Sequence, residues 1–169
     1  MMTAKFLEID NILVLIGLLG MFIYNGFVMI RYKKVPGSLS ETAYIIGGES
    51  LKRYWFTFYC LFTTAMILPP LFMCTRDGLE VLPFLLCVGL LFAGYSPTYK
   101  SGIERPVHYI SAYLSFGSFI LYSILCIPWY WLVGYVILLG LFCLWKPKCY
   151  VYFAEILALI DISLWILLE

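Results

Sequence analysis

Two carboxylates sit in a stretch where nothing else is charged. Asp161 is flanked by Ile160 and Ile162, and Glu155 precedes it within the otherwise uncharged run 149–168. An acid surrounded by hydrocarbon is costly and needs a reason. It can serve as a proton or cation site that cycles between charged and neutral forms. It can equally be a protonated or hydrogen-bonded group that glues helices together. Six residues turn a helix by about 600°, so the two acids lie on faces roughly 120° apart and cannot form a close pair. Asn25, in a separate apolar run, falls at a depth similar to Glu155 if the two helices run in opposite directions.

A second pattern begins at the single histidine. His108, Ser111, Ser115, Ser118 and Tyr122 recur at intervals of three and four and form one polar stripe on a helix. Small hydroxyl residues let a neighbouring helix approach and hydrogen-bond across the contact. The same stripe could line a water-filled path with His108 as the titrating group at its mouth. Thr57, Cys60 and Thr64 make a weaker stripe on another segment, which predicts a core of the second, fourth and sixth segments with polar faces inward.

Other chemistry has less to build on. One histidine and no His-Glu-x-x-His pattern argue against a zinc hydrolase, and no metal or cofactor is expected. The six cysteines show no Cys-x-x-Cys spacing. Cys74 and Cys126 fall at the same end of their segments and could bridge, with apolar packing the default. Gly47-Gly48 and Gly17-Leu18-Leu19-Gly20 lack the strand-to-helix setting of a phosphate cradle. Ser96 and Ser101 lie near His108 in sequence, but no acid completes a triad.

The elements that must position these residues follow from composition. The 169 residues are 63% hydrophobic, 19% aromatic and only 12% charged, with mean hydropathy +0.95. A soluble domain is nearer half apolar and a quarter charged. Too little polar surface exists to cover this chain in water, which excludes a soluble enzyme and a disordered tail. A net charge of +1 offers no field for nucleic acid. An all-α integral membrane bundle remains, with the lipid bilayer its first partner and a second copy or another membrane protein an open alternative.

Crossing a hydrocarbon core of roughly 30 Å takes about 20 apolar residues. Six segments qualify or nearly do: 12–30, 54–73 (ending near Pro69-Pro70), the short 81–95, 107–127, 129–145 and 149–168. Apolar runs such as Ile12–Ile16 and Val136–Leu139 lack the period-two alternation of barrel strands. The fourth and fifth segments should form a tight helical hairpin at Pro128. Arg31, Lys33, Lys34, Lys52, Arg53, Lys100, Arg105, Lys146 and Lys148 fall in connections of one side, against Lys5 and Arg76 on the other. The positive-inside rule then makes the first side cytoplasmic and both termini external. With Glu8 and Asp10 after Lys5 and no small-residue cleavage pattern before Asn25, the first segment is expected to be retained.

One connection, 31–53, is long enough for structure of its own. Ser38-Leu39-Ser40-Glu41 fits a capping box, and the apolar residues after it predict a short interfacial helix over 39–46, ended by Gly47-Gly48. Tyr32, Tyr54, Trp55, Tyr95, Tyr99, Trp129, Tyr130, Trp131, Trp145 and Tyr150 cluster at segment ends as an interfacial aromatic belt. A three-plus-three inverted repeat is compatible with this topology, but the halves share no sequence match.

Two stretches, Val35-Pro36-Gly37-Ser38-Leu39-Ser40-Glu41-Thr42-Ala43-Tyr44 and Gly94-Tyr95-Ser96-Pro97-Thr98-Tyr99-Lys100 with Val107-His108-Tyr109, resemble motifs in a group of short bacterial multi-spanning membrane proteins. The resemblance implies the same multi-helix architecture and a bacterial inner-membrane setting, and supplies no activity. It also implies a shared functional face of Ser38, Ser40, Tyr44, Pro97, Lys100 and His108, a clustering that the orientation predicts independently. The leading expectation is a small transporter-like or channel-like protein with Asp161, Glu155, Asn25, His108, Ser111, Ser115, Ser118 and Thr64 in a polar interior. The alternative is a structural or partner-docking protein whose polar groups serve packing. A weaker one is an intramembrane lipid-modifying enzyme with His108 as base.

Overall fold

A long, uniformly apolar chain satisfies its backbone in a bilayer by making helices, and the computed structural model is helical wherever it has regular structure. It describes residues 2–47, 51–97, 99–100, 102 and 104–169; Gly48, Thr98 and Ser101 lie outside them, as does the side chain of Lys5. The helices are α1 (Met2–Tyr32), α2 (Glu41–Gly47), α3 (Tyr54–Met73), α4 (Val81–Tyr95), α5 (Glu104–Leu125), α6 (Trp129–Trp145) and α7 (Tyr150–Leu168). Short 3-10 turns, Leu51–Arg53 and Pro147–Cys149, lead into α3 and α7. No strand occurs among the described residues.

Four segments are long and apolar enough to cross a membrane: Ile9–Tyr32, Leu51–Met73, Glu104–Leu125 and Pro147–Leu168. The helices α4 and α6 are apolar but shorter. Side chains such as Leu19, Ile23, Ile30 and Leu144 are 59%, 63%, 80% and 84% exposed. Surface of that kind is stable against lipid and not against water.

Helix ends differ from the sequence expectation in instructive ways. The first helix starts ten residues before Ile12, at Met2, and stops where Lys33 adopts a left-handed backbone (φ 52°), a usual helix-ending conformation. The helix α3 keeps its expected bounds, Tyr54–Met73, with Pro69 and Pro70 inside it. Each proline removes an amide that would otherwise donate within the helix, and the helical hydrogen bonding resumes beyond them, with Cys74 N–H donating to the Pro70 carbonyl at 3.1 Å. The fifth helix ends at Leu125, short of Ile127, and Cys126–Pro128 make the tight turn into α6. The short helix starts at Glu41 instead of Leu39 and does not lie loose on the surface. Its Thr42 and Ala43 are fully buried, held between α1 and α3.

Packing also departs from the expected core of the second, fourth and sixth segments. The stripe of α5 turns to α4 instead, because α4 supplies glycines. A Cβ on Gly89 would meet the Ser111 carbonyl oxygen and the Ser115 nitrogen, both at 2.6 Å. Ser115 Oγ donates to the Leu86 carbonyl at 2.9 Å. The α3 stripe also meets α4: Thr57 Oγ1 donates to the Gly94 carbonyl at 2.6 Å, and a Cβ on Gly94 would lie 2.5 Å from Cys60 Cβ. The contact is as close as small-residue packing between membrane helices allows. Of the aromatic residues at the segment ends, Tyr32, Tyr54, Trp55, Tyr95, Trp129, Tyr130, Trp145 and Tyr150 are exposed, whereas Tyr99 is buried.

Candidate functional site

The loop after α1 is built around its own hydrogen bonds. Ser38 Oγ accepts from Glu41 N–H at 3.2 Å, and the Glu41 carboxylate reaches back to Gly37 N–H, a capping box displaced by one residue from its usual backbone partner. Glu41 also pairs with Lys34 at 2.7 Å. Burial alone would raise Glu41, but the Lys34 ammonium and the Gly37 amide outweigh it and hold the carboxyl below its ordinary range.

This loop caps the last helix. Tyr152 N–H, in the first turn of α7, donates to the Gly37 carbonyl at 3.1 Å. Glu155 Oε2 accepts from Leu39 N–H at 2.7 Å. Thr42 Oγ1 donates to the Leu39 carbonyl and accepts from the Tyr24 hydroxyl at 2.7 Å. Tyr152 Oη donates to Asn25 Oδ1 at 2.9 Å, while Asn25 Nδ2 donates to the Met21 carbonyl at 2.8 Å. Asn25 Oδ1 thereby joins α1 to α7.

The second loop closes on the first. Lys100 N–H donates to Tyr44 Oη at 2.9 Å, and the Lys100 ammonium lies 4.5 Å from the centre of the same ring. Tyr99 meets Tyr44 edge-on at 5.3 Å and stacks on His108 at 4.3 Å. Burial pushes the Tyr99 phenol above its ordinary value, against the pull of the neighbouring Ser40 and Ser38 hydroxyls. Ser38, Ser40, Tyr44, Lys100 and His108 thus share one cluster, with Pro97 buried in the same connection.

His108 Nδ1 is 3.1 Å from the Ala93 carbonyl oxygen. A carbonyl only accepts, so Nδ1 carries a proton and the neutral ring keeps Nε2 as its acceptor. Beside His108 a cleft of about 300 Å³ separates α5 from α7. Ser40, His108 and Glu155 line it together with Leu86, Leu90, Phe116, Phe119, Ala158, Leu159 and Ile162. Ser115 also touches the cleft, but its hydroxyl is held by α4.

Asp161, Asn25, Ser111, Ser118 and Thr64 do not line the cleft. Asp161 is buried, with Oδ2 lacking a hydrogen-bond partner among the described residues, as does Thr64 Oγ1. All six cysteines, Cys74 and Cys126 included, are free thiols. No group of three or more histidine, cysteine or acidic side chains suited to a metal occurs among the described residues. The sequence reading missed Tyr99 as the ring on which His108 stacks and Leu39 N–H as the partner of Glu155. Tyr99 could have been found from its place inside the quoted motif; nothing in the sequence marks the amide. No family model, curated protein or solved structure matches the chain.

Proposed function

We propose that the chain is an integral membrane protein of the binding or transport class whose α5–α7 cleft holds an amphiphile. The apolar part of the ligand lies along Phe116, Phe119, Leu159 and Ile162, and its head meets Ser40, His108 and Glu155. One observation carries this: Ser40, His108 and Glu155, from three separate elements, line a cleft whose other walls are mostly apolar. Ligand pockets commonly have this make-up and run from roughly 300 to 1,000 Å³. A carboxylate and the acceptor nitrogen of a neutral imidazole suit a head that donates hydrogen bonds, such as a hydroxyl or an amine. A hydrated ion is less well served, since Asp161 is no part of the lining.

The proposal includes six crossings, both termini external and the basic connections in the cytoplasm of a bacterial inner membrane. The basic residues of the connections support that sidedness, and the bacterial setting rests on the resemblance. With 15 and 17 residues, α4 and α6 reach about 22 and 25 Å, and a locally thinned bilayer accommodates them. A structural role for the remaining polar groups is favoured by Thr57, Ser115 and Asn25, whose hydrogen bonds all end on helices. Lipid hydrolysis has less support, because among the described residues His108 hydrogen-bonds to the backbone of Ala93 and Ser96 and to no side-chain nucleophile.

A photocrosslinkable monoacylglycerol added to the protein in nanodiscs tests the site. Crosslinks should map to Phe116 and Leu159 in the parent, fall at least several-fold in Ala158→Phe, and weaken in Glu155→Gln. Labelling that ignores both substitutions rejects the cleft as the ligand site.

A further inference from the structure

The cleft between α5 and α7 exists because its two long walls are anchored away from each other. The helix α5 is bound to α4, through the close passage at Gly89 and the bond from Ser115 to the Leu86 carbonyl. The helix α7 is bound to α1 and to the loop after it, through Tyr152 with Asn25 and with Gly37. The hairpin helix α6 meets α5 where Phe119 and Tyr135 touch edge-on, with ring centres 5.2 Å apart. Toward the basic connections it keeps to α7, where Phe142 stacks on Phe153 at 4.4 Å. On that half a gap is left between α5 and α7.

The end and the side of this gap differ. At the end nearest the basic connections, Leu39, Ser40, Ser96, Pro97, Tyr99 and His108 are all buried. Tyr99 lies flat on His108, and Tyr44 meets Tyr99 edge-on and accepts from Lys100 N–H. The side is open. Tyr113 of α5 is 75% exposed, Tyr150 of α7 is 56% exposed and Val151 next to it is exposed as well, yet all three line the cleft. Tyr113 follows the first residue of α5, Glu104, by nine positions, or about 14 Å of helix. That is deeper than the headgroup level where tyrosine gathers, and a hydroxyl among acyl tails is costly. A phenol there has a use if polar heads move past it.

We infer that the ligand is a single-chain amphiphile drawn sideways from the leaflet next to the basic connections, through a portal formed by Tyr113, Tyr150 and Val151. The inference rests on the reading of this cleft as an amphiphile site and adds where its ligand comes from. An amphiphile in that leaflet already has its head toward the basic connections and its tail toward the midplane. The cleft has the same order: Ser40, His108 and Glu155 lie at the ends of their elements nearest those connections, and Phe119 and Ile162 lie deeper. Sideways entry therefore needs no turning over and carries no head through hydrocarbon. Entry from water would have to part Tyr99 from His108 and Tyr44 from Lys100. A volume of about 300 Å³ is at the lower end for ligand pockets and suits one chain better than two.

Carbene footprinting of the full chain in nanodiscs tests the route, with an apolar aryl diazirine dissolved in the lipid and a charged diazirine confined to water. Phe119 and Leu159, which are buried yet line the cleft, should be labelled from the lipid and spared from the water. Tyr113→Trp with Val151→Trp fills the portal and should lower the lipid-phase labelling several-fold. Ile137, exposed on α6, should be labelled as in the parent, and the fully buried Leu71 should stay unlabelled in any folded variant. Tyr113→Ala widens the same gap and should raise the labelling of Phe119 and Leu159. Labelling of these two from water, or lipid-phase labelling that neither substitution moves, overturns the portal. Failure of the ligand reading looks different: monoacylglycerol crosslinks would be absent while the apolar probe still entered from the side, which overturns the amphiphile and not the route.

Discussion

Of the two acids in α7, Glu155 has a backbone partner, whereas Asp161 Oδ2 has no hydrogen-bond partner among the described residues. Glu155 receives Leu39 N–H and borders the cleft, whereas Asp161 is buried away from it. The 120° between them was readable from spacing; which face met the loop was not. Glu41 offers a cleaner titration, because it lies outside the membrane-spanning segments. Its folded carboxyl sits below its ordinary range, once burial is outweighed by Lys34 and Gly37 N–H. A depressed value means stability that is present above the unfolded pKa of about 4.3 and is lost as pH falls through the lower folded value. Detergent-solubilised protein should therefore lose more thermal stability between about pH 6 and pH 3, the range over which an ordinary carboxylate takes up its proton, than Glu41→Gln does. Parallel losses would mean that the capping carboxylate contributes nothing.

At the level of elements, α4 organises the bundle even though it is among the shorter helices. Gly89 and Gly94 let α5 and α3 approach until backbone meets backbone or Cβ, and Ser115 and Thr57 donate across the two contacts. Gly117 in α5 has nothing within 4 Å of its missing side chain. Gly89→Ala should cost about 1–3 kcal/mol, because backbone atoms cannot yield as a flexible side chain does. Gly117→Ala should be neutral or stabilise by up to about 1 kcal/mol through helix propensity. Thermal unfolding in one detergent compares the two, and equal effects would remove α4 from its organising place. The hydroxyl stripe on α5 was legible at three-and-four spacing. Its partner was not, because periodicity tells which residues share a face and not what that face meets.

For the whole molecule, the sidedness proposed from Lys and Arg makes a direct prediction. A reporter active only in the cytoplasm should work when inserted in the 31–53 connection and fail when fused after Glu169. Activity at both positions would give the chain an odd number of crossings, and activity only at Glu169 would invert it. The helical membrane character, the approximate helix limits, the capping box and the pairing of the two loops at one end were all written into the sequence. These depend on composition, on local hydrogen bonds and on alternating helix direction. Tertiary structure alone decided that α5 pairs with α4 and that Glu155 and His108 border one cleft without Asp161. Each of those outcomes depends on how nearly uniform apolar helices rotate and lean against one another. With little polarity to distinguish their faces, only the fit of glycines, rings and a few hydrogen bonds selects the arrangement.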